Sequence, residues 1–245
     1  MRQSYKIIGV IPARLDSQRL PGKVLLDIAG KPMIQWVYER TRQSTLLTRL
    51  LIATDSEKVL HFCADRKIPS IMTGQHSSGT DRLYEVMERT DGDIYVNIQG
   101  DEPTIRSEHI ELLLQPIIDE ESEVTTLKVK IDAASARDPN IVKVVADDRG
   151  RALYFSRSQI PFDREGQGKV RVYKHIGLYG YTRSALSVFH GLAQTPLELS
   201  EKLEQLRFLE NGIPVLVKET QHDTIGVDTL ADLASATAFL ASEPT

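Results

Sequence analysis

The chain has 245 residues, of which 41% are hydrophobic and 26% charged, and its formal net charge is −4. A chain of this length buries enough apolar surface to fold without disulfides or a structural zinc ion. Its single cysteine, Cys63, excludes an intrachain disulfide framework. No apolar run reaches the roughly 18 residues of a membrane span, and no leader-like segment opens the chain, so a soluble, cytoplasmic protein is expected. The acidic balance argues against general nucleic-acid binding but allows a small anionic substrate held by local cations.

The first half of the chain alternates apolar strand-like runs with amphipathic helical patterns. The run KIIGVIPA at 6–13 is continuous and rich in β-branched residues, which is typical of a buried strand. Strands that alternate with helices favour parallel pairing with right-handed crossovers, and hence an α/β three-layer sandwich with a mixed, mostly parallel sheet. Further strands are predicted at 49–54, 70–72 and 94–98, and helices at 32–41, 57–67 and 80–90.

After about residue 121 the pattern changes to alternating strand-like runs, which favour a partly antiparallel extension. The polar, glycine-containing segment 162–169 predicts a mobile loop. A single domain, 1–245, is expected to form two lobes, one from about 1–121 with 213–245 and one from about 122–212. Strands are predicted at 124–131, 142–146, 151–156, 173–182 and 213–218, and helices at 200–209 and 230–240.

Three cations lie in the loop that follows the first predicted strand: Arg14, Arg19 and Lys23. Ligands of open parallel sheets bind at the carboxyl ends of the strands, and a triphosphate needs cations and backbone N–H donors around it. The glycine patterns of Walker and dinucleotide-binding loops are not present in this loop. The loop therefore predicts a phosphate site of another type, with a solvated basic loop as the alternative.

Two carboxylates stand at positions where they could hold a metal ion. Asp101 follows the predicted strand 94–98, and Asp228 precedes the last predicted helix. Mg²⁺ prefers carboxylates together with substrate phosphate oxygens, so this pair predicts a two-carboxylate metal site. The alternative for either residue is a helix N-cap.

A second set of small residues, Ser78 and Gly79, opens the helix predicted at 80–90, with Arg82 in its first turn. Small residues let a ligand approach the backbone closely, and a helix N-terminus favours electron-rich groups. These residues indicate a nucleotide contact, with a plain N-capping turn by Ser78 as the alternative.

In the second lobe, an arginine, a histidine and a tyrosine fall on one predicted sheet. His175 and Tyr179 are four residues apart in a predicted strand and therefore share a face. With Arg157 they could bind a carboxylated, hydroxyl-rich substrate, although single His and Tyr residues are more often structural. Glu204 and Gln205 lie on the helix predicted at 200–209, where a polar helix surface is the alternative.

Taken together, these strings resemble the 3-deoxy-manno-octulosonate cytidylyltransferase (CMP-Kdo synthetase) family. The resemblance runs in order from about residue 5 to 235, and its joint match is more specific than any one string. The strings that carry it are IPAR at 11–14, RLPGK at 19–23, ATD at 53–55, SGTDR at 78–82, NIQGDEP at 97–103, ALYFSR at 152–157, HIGLY at 175–179, LEQLR at 203–207 and GVDT at 226–229.

The resemblance implies transfer of CMP from CTP to the 2-hydroxyl of 3-deoxy-manno-octulosonate (Kdo), with release of pyrophosphate. It also implies a nucleotide-diphospho-sugar transferase fold, Mg²⁺ as cofactor, and a cytoplasmic homodimer that supplies activated Kdo for lipopolysaccharide. The first lobe would bind the nucleotide, and the second would bind the sugar and form the dimer.

Positions that match the family's motifs receive roles by resemblance. The catalytic residues would be Arg14, Lys23, Asp101 and Asp228, and the two aspartates would ligate Mg²⁺. The nucleotide would contact Pro12, Ala13, Arg14, Arg19, Lys23, Ser78, Gly79 and Arg82. The sugar acid would contact Gln99, Arg157, His175, Tyr179, Glu204 and Gln205.

Some positions depart from the family's pattern. Gln18 stands where many relatives have Thr or Ser, Ser77 where Gln or Glu is frequent, and the loop 162–169 is shorter than in several relatives. These departures leave the sugar's identity open between Kdo and its 8-amino variant, and the product's use open between lipopolysaccharide and capsule. A cytidylyltransferase for another sugar acid, such as sialic acid, and a non-catalytic nucleotide-binding module are the further alternatives.

Overall fold

The computed structural model describes residues 5–15, 20–76, 78–166 and 170–243. Backbone contacts divide the chain into two compact units, here called unit 1 (Met1–Glu111 with Thr224–Thr245) and unit 2 (Leu112–Asp223). No helix in the described ranges is both long enough and apolar enough to cross a membrane. In chain order the elements are β1 (Ile7–Ala13), β2 (Asp27–Ile28), β3 (Lys31–Pro32), α1 (Met33–Thr41), β4 (Arg49–Thr54), α2 (Glu57–Asp65), β5 (Ser70–Met72), α3 (Gly79–Glu88), β6 (Ile94–Asn97), α4 (Ser107–Ile118), β7 (Val124–Ile131), β8 (Lys143–Ala146), β9 (Ala152–Ser156), β10 (Val172–Thr182), α5 (Arg183–Gly191), α6 (Pro196–Glu201), α7 (Leu206–Glu210), β11 (Leu216–Thr220) and α8 (Leu230–Ser242).

Unit 1 is built on four parallel strands in the order β6-β1-β4-β5. Strand β1 lies between β4 and β6, and both faces of a strand in that position are covered, which explains its continuous apolar sequence. Because all four strands run the same way, their carboxyl ends meet at one edge of the sheet. The predicted parallel α/β arrangement is confirmed, with β4 and β5 ending at the predicted residues and the other elements within a few residues of them.

Gly100 brings the loop after β6 against the end of β1. A Cβ atom at this position would lie 2.7 Å from the Pro12 carbonyl oxygen and 3.2 Å from Cδ1 of Ile34. Only a residue without a side chain fits there without moving the backbone. The same loop is tied to the start of α8, because the Val227 N–H donates to the Asp101 carbonyl over 2.8 Å.

We expect Gly100→Ala to lower the free energy of unfolding by about 1–3 kcal/mol, because the added methyl group meets a backbone carbonyl that cannot rotate away. Urea denaturation followed by circular dichroism measures this change. Gly191→Ala is the matched control, since no atom lies within 4 Å of its Cβ position. The control should leave the free energy of unfolding unchanged or raise it by up to about 1 kcal/mol, because alanine favours a helix over glycine. Equal stability of the two variants would contradict the close approach at Gly100.

Unit 2 mixes pairing directions, as predicted for the second part of the chain. Strand β11 pairs parallel to β7, β10 pairs antiparallel to β7 and β8, and β8 pairs antiparallel to β9. The β10–β7 register shifts between Ile176 and Tyr179, so β10 carries an irregularity beside the predicted His175–Tyr179 pair. The parallel pairing in unit 1 and the mixed pairing in unit 2 confirm the predicted α/β fold class with mixed, mostly parallel strands.

The prediction of one continuous helix at 200–209 is wrong. The chain forms two short helices, α6 and α7, because Lys202 adopts a left-handed conformation with φ 56° and ψ 46°. The Leu203 N–H then donates to the Glu198 carbonyl and closes the turn. The strand predicted at 213–218 is displaced, since β11 begins only at Leu216.

Candidate functional site

Three charged side chains from distant parts of unit 1 meet at one point. The Lys23 ammonium nitrogen lies 2.5 Å from Asp101 Oδ2, 2.9 Å from Asp228 Oδ1 and 3.1 Å from the Val227 carbonyl oxygen. Lys23 follows Gly22, whose φ of 68° turns the chain in the left-handed region that favours glycine. Asp101 comes after β6 and Asp228 directly before the N-cap of α8. The two carboxylates therefore converge on a single cation.

The electrostatics of this group keep Lys23 charged. Burial alone lowers the pKa of its ammonium, but Asp101 and Asp228 outweigh that effect, and the pKa is raised. The side chains of Asp101 and Asp228 remain 31% and 44% exposed, against 12% for Lys23. Both carboxylates can therefore accept a further ligand from solvent.

This donor set suits a hard divalent cation. Carboxylate oxygens are the protein ligands that Mg²⁺ prefers, and it is usually bound through one or two carboxylates with water and phosphate oxygens completing the shell. Across the described residues, no group of three or more His, Cys, Asp or Glu side chains could form a metal site. Asp101 and Asp228 are the two carboxylates of this cluster that could contribute to such a shell.

The start of α3 brings Ser78, Gly79 and Pro12 together. Ser78 is the N-cap, and its hydroxyl accepts the Asp81 N–H over 3.1 Å, so its capping role is realised. A Cβ at Gly79 would lie 3.4 Å from Asn97 Nδ2 and 3.7 Å from Pro12 Cγ, which places this helix N-terminus close to the end of β1. Asn97 is fully buried, and its Oδ1 has no hydrogen-bond partner in the part of the chain that the structure describes.

Asn97 is not among the residues that the sequence predicts for the site. The signal that could have found it is a polar amide inside the apolar run IYVNI, where a buried side chain must satisfy its hydrogen bonds. Its position beneath Gly79 makes it part of the surroundings of the α3 N-terminus.

The other cationic residues of unit 1 differ in their surroundings. Arg82 is buried, and its guanidinium donates to Asp55 Oδ2 over 3.1 Å and to the Thr73 hydroxyl. It thus links the segment after β4 to the segment after β5. Arg14 is exposed directly after the buried Ala13, and Arg19 lies outside the described residues, as do Gln18 and Ser77.

In unit 2, His175 and Tyr179 lie side by side, with ring centroids 5.4 Å apart. Burial lowers the pKa of His175 to about 3, helped by the positive charge of Lys174, so the ring is neutral at physiological pH. Burial also raises the pKa of the Tyr179 hydroxyl well above its usual value, and the neighbouring Tyr181 and Glu204 add to this shift. The pair thus offers neutral, buried hydrogen-bonding groups.

Thr126 fixes the tautomer of His175. Its hydroxyl oxygen lies 2.8 Å from the Leu178 carbonyl and 3.0 Å from His175 Nε2. The Ile176 carbonyl oxygen also lies 3.2 Å from this hydroxyl. Carbonyls can only accept, so the single hydroxyl proton is directed to one of the two carbonyls, and Nε2 donates to the hydroxyl oxygen. The His175 Nδ1 atom is then the acceptor of the neutral ring.

Three of the four remaining predicted sugar-site residues fall in or beside the turn between α6 and α7. Glu204 and Gln205 lie in this turn, and Gln205 is buried, so the alternative of a polar helix surface is wrong for Gln205. Arg157 reaches the same region, because its Nε donates to the Glu201 carbonyl over 2.8 Å. Gln99 belongs to unit 1, where it follows β6 and is half-buried.

We expect the burial of neutral His175 to make the protein less stable in acid. In the unfolded chain its pKa is about 6.5, whereas in the folded protein it is about 3. Between these values the unfolded state binds more protons, so stability falls as the pH drops, by about 2 kcal/mol from this group between pH 7 and pH 5. Urea denaturation at both pH values measures the loss.

The variant His175→Gln should flatten this part of the pH profile, whereas His61→Gln, on the exposed surface of α2, should retain the wild-type slope. An unchanged slope in His175→Gln would contradict the buried neutral ring.

Comparisons with known proteins show which family this chain is similar to. The sequence model of a family described as cytidylyltransferase matches residues 8–220. A 3-deoxy-manno-octulosonate cytidylyltransferase of Koribacter versatilis is 47% identical over 98% of this chain and 92% of its own length, and one of Acidobacterium capsulatum is 49% identical over 97% of both. A solved CMP:2-keto-3-deoxy-manno-octonic acid synthetase complexed with CTP is 47% identical, with a TM-score of 0.93 over 98% of this chain and 100% of that one.

Proposed function

Because the chain belongs to the cytidylyltransferase family, we propose that it transfers CMP from CTP to the 2-hydroxyl of Kdo and releases pyrophosphate. The observation that carries this proposal is the convergence of Asp101 and Asp228 on Lys23 at the carboxyl edge of the unit 1 sheet. The similarity of whole chains named for this reaction supports the choice of nucleotide and sugar acid. A cytoplasmic reaction that supplies activated Kdo for lipopolysaccharide is part of the same proposal.

In the proposed reaction the sugar's 2-hydroxyl oxygen attacks the α-phosphorus of CTP. The new O–P bond forms as the bond to the β-phosphate bridging oxygen breaks, and pyrophosphate leaves with the electron pair. The hydroxyl proton passes to solvent. The enzyme contributes positioning and charge stabilisation and forms no covalent intermediate.

Different residues of unit 1 would bind different parts of the nucleotide. Arg14 and Lys23 bind the phosphates through their positive charges, together with Arg19. Pro12, Ala13, Ser78 and Gly79 surround the ribose and cytosine, where the small residues and the α3 N-terminus let the nucleotide approach the backbone. Arg82 would act indirectly, because its hydrogen bonds hold Asp55 and Thr73 in place.

Asp101 and Asp228 would hold Mg²⁺. When bound there, the ion supplies charge neutralisation at the phosphates and a lower pKa for the attacking hydroxyl. The two aspartates fix its place through the loop after β6 and the start of α8, which the Val227–Asp101 backbone bond ties together.

The sugar acid would bind to the residues singled out in unit 2, and the role of Gln99 stays an expectation from the resemblance. The Arg157 guanidinium pairs with the sugar's carboxylate. His175, Tyr179, Glu204 and Gln205 offer neutral and anionic hydrogen-bonding groups to its hydroxyls.

The homodimer belongs to the proposal as well. Unit 2 exposes large apolar side chains, with Phe162 82% and Leu153 62% exposed and Leu197 and Leu199 on α6 also exposed. A protein–protein contact is a common reason for such exposure. Light scattering on the purified protein should give twice the monomer mass; a monomer at all concentrations would contradict the dimer.

A coupled pyrophosphate-release assay tests the reaction directly. We expect release with CTP plus Kdo and Mg²⁺, and little with ATP, GTP or UTP in place of CTP. Comparing Kdo with its 8-amino analogue and with sialic acid identifies the sugar. Turnover with sialic acid alone would reassign the substrate, and no release with any pair would indicate a nucleotide-binding module.

Arg157→Ala should raise the KM for the sugar acid by roughly tenfold to hundredfold and leave the KM for CTP nearly unchanged, because the lost guanidinium pairs with the sugar's carboxylate. Steady-state kinetics with each substrate varied in turn measure both constants. Arg151→Ala is the control, since that exposed arginine pairs with Asp147. A change confined to CTP would contradict the assignment of Arg157.

A further inference from the structure

Unit 2 contains a lysine that has no contact with solvent. Lys143, on β8, is fully buried, and its ammonium donates to the carbonyl oxygens of Asp138, Ile141 and Arg157 over 2.8, 2.5 and 2.5 Å. Burying a charged group is costly unless it is fully hydrogen-bonded. All three ammonium protons have an acceptor here, so the lysine holds three carbonyls of two separate loops in fixed positions.

A second residue, Glu201, holds the same loop from the other side. Its carboxylate accepts the Ser156 hydroxyl over 2.6 Å and the Arg157 N–H over 2.9 Å, while its own carbonyl accepts Arg157 Nε over 2.8 Å. Glu201 is also the last residue of α6 and directly precedes the left-handed Lys202, which starts the turn with Glu204 and Gln205. One residue therefore connects Arg157 to that turn.

In these contacts the Arg157 guanidinium binds carbonyl oxygens and no carboxylate. The guanidinium donates to two neutral acceptors, the carbonyls of Glu201 and Pro139. Within the described ranges, no carboxylate forms an ion pair with it, and the Glu201 carboxylate binds the Arg157 backbone instead of its side chain. An arginine that is held in place without being neutralised is suited to an anionic ligand.

We propose that Lys143 and Glu201 are positioning residues of the sugar-acid site, which fix the backbone and guanidinium of Arg157 next to the Glu204–Gln205 turn. This inference rests on the proposed function, because it takes Arg157 as the group that binds the sugar's carboxylate. It adds two residues that touch no substrate. They act by pre-organising an arginine whose charge they do not cancel.

Steady-state kinetics of Lys143→Met and Glu201→Gln test this role. A displaced guanidinium should raise the KM for Kdo by roughly tenfold to hundredfold in Lys143→Met, with the KM for CTP changed by less than about threefold. Glu201→Gln retains a side-chain carbonyl for the Arg157 N–H and should have a smaller effect in the same direction. Lys130→Met is the control, because Lys130 is an exposed lysine on β7 of the same unit, and it should leave both KM values near the wild type.

Thermal unfolding of each variant separates positioning from mere stabilisation. A lower Tm with unchanged KM for Kdo in both variants would overturn the inference. If Lys143→Met does not fold, Glu201→Gln and Ser156→Ala serve in its place, and their KM for Kdo is again compared with their KM for CTP. Arg157→Ala, measured alongside, keeps the two proposals distinct. If Arg157→Ala does not change the KM for Kdo, the assignment of Arg157 is rejected. If Arg157→Ala alone raises this KM, only the roles of Lys143 and Glu201 are rejected.

Discussion

Replacing Asp101 with Asn is expected to lower kcat by roughly a hundredfold or more while leaving the fold intact. Asn has the same shape but no negative charge, so the site keeps its packing and loses half of its anionic ligand set. The loop also keeps its anchor, since the bond to the Val227 N–H uses the Asp101 backbone carbonyl. The loss therefore falls on the chemical step, and pyrophosphate release at saturating CTP, Kdo and Mg²⁺ measures it.

The matched control is Asp27→Asn, which changes an exposed carboxylate of the same unit that caps a turn at Gly30. It should leave kcat within about twofold of the wild type, as expected for a surface substitution away from the site. Near-normal turnover of Asp101→Asn with Mg²⁺ would remove this carboxylate from the mechanism.

Lys23→Met is expected to lower kcat/KM for CTP by roughly a hundredfold. The variant removes the ammonium that faces both carboxylates and that binds the phosphates in the proposed complex. Two carboxylates without their cation repel each other and also repel the triphosphate. Kinetics with CTP varied at saturating Kdo measure the effect.

The control for Lys23 is Lys31→Met, because Lys31 is another partly exposed lysine of unit 1 that pairs with a carboxylate, Glu39. Its kcat/KM for CTP should be close to the wild-type value. If Lys23→Met instead changed only the KM for Kdo, or changed nothing, the assignment of Lys23 to the nucleotide would be wrong.

The strands of unit 1 could be predicted because each is a short, apolar, β-branched run with clear ends. Their parallel order brings Lys23, Asp101 and Asp228 within reach of each other, although they lie far apart in the chain. Strand-end position is a strong signal in such sheets, and it predicts Asp101 and the loop that contains Lys23, whereas Asp228 is predicted from its place before the last helix.

Other features could not be predicted because they depend on packing between segments. The helical pattern is interrupted at Lys202, which adopts a left-handed backbone conformation. A glycine at this position would have indicated such a conformation, but the residue is a lysine. Arg82 is predicted only as a nucleotide contact, and its partners Asp55 and Thr73 come from loops whose approach the sequence does not reveal. Glu201 is one charged residue among many in its segment. Its proposed positioning role depends on three hydrogen bonds to Ser156 and Arg157, which the sequence does not show.

The most direct test of the account is a crystal structure of the protein with CTP and Mg²⁺. We predict one ion bound to a nucleotide phosphate oxygen and to carboxylate oxygens of both Asp101 and Asp228, at about 2.0–2.1 Å. An ion that is bound by only one of these aspartates, or by neither, would contradict the central claim that the pair forms the metal site.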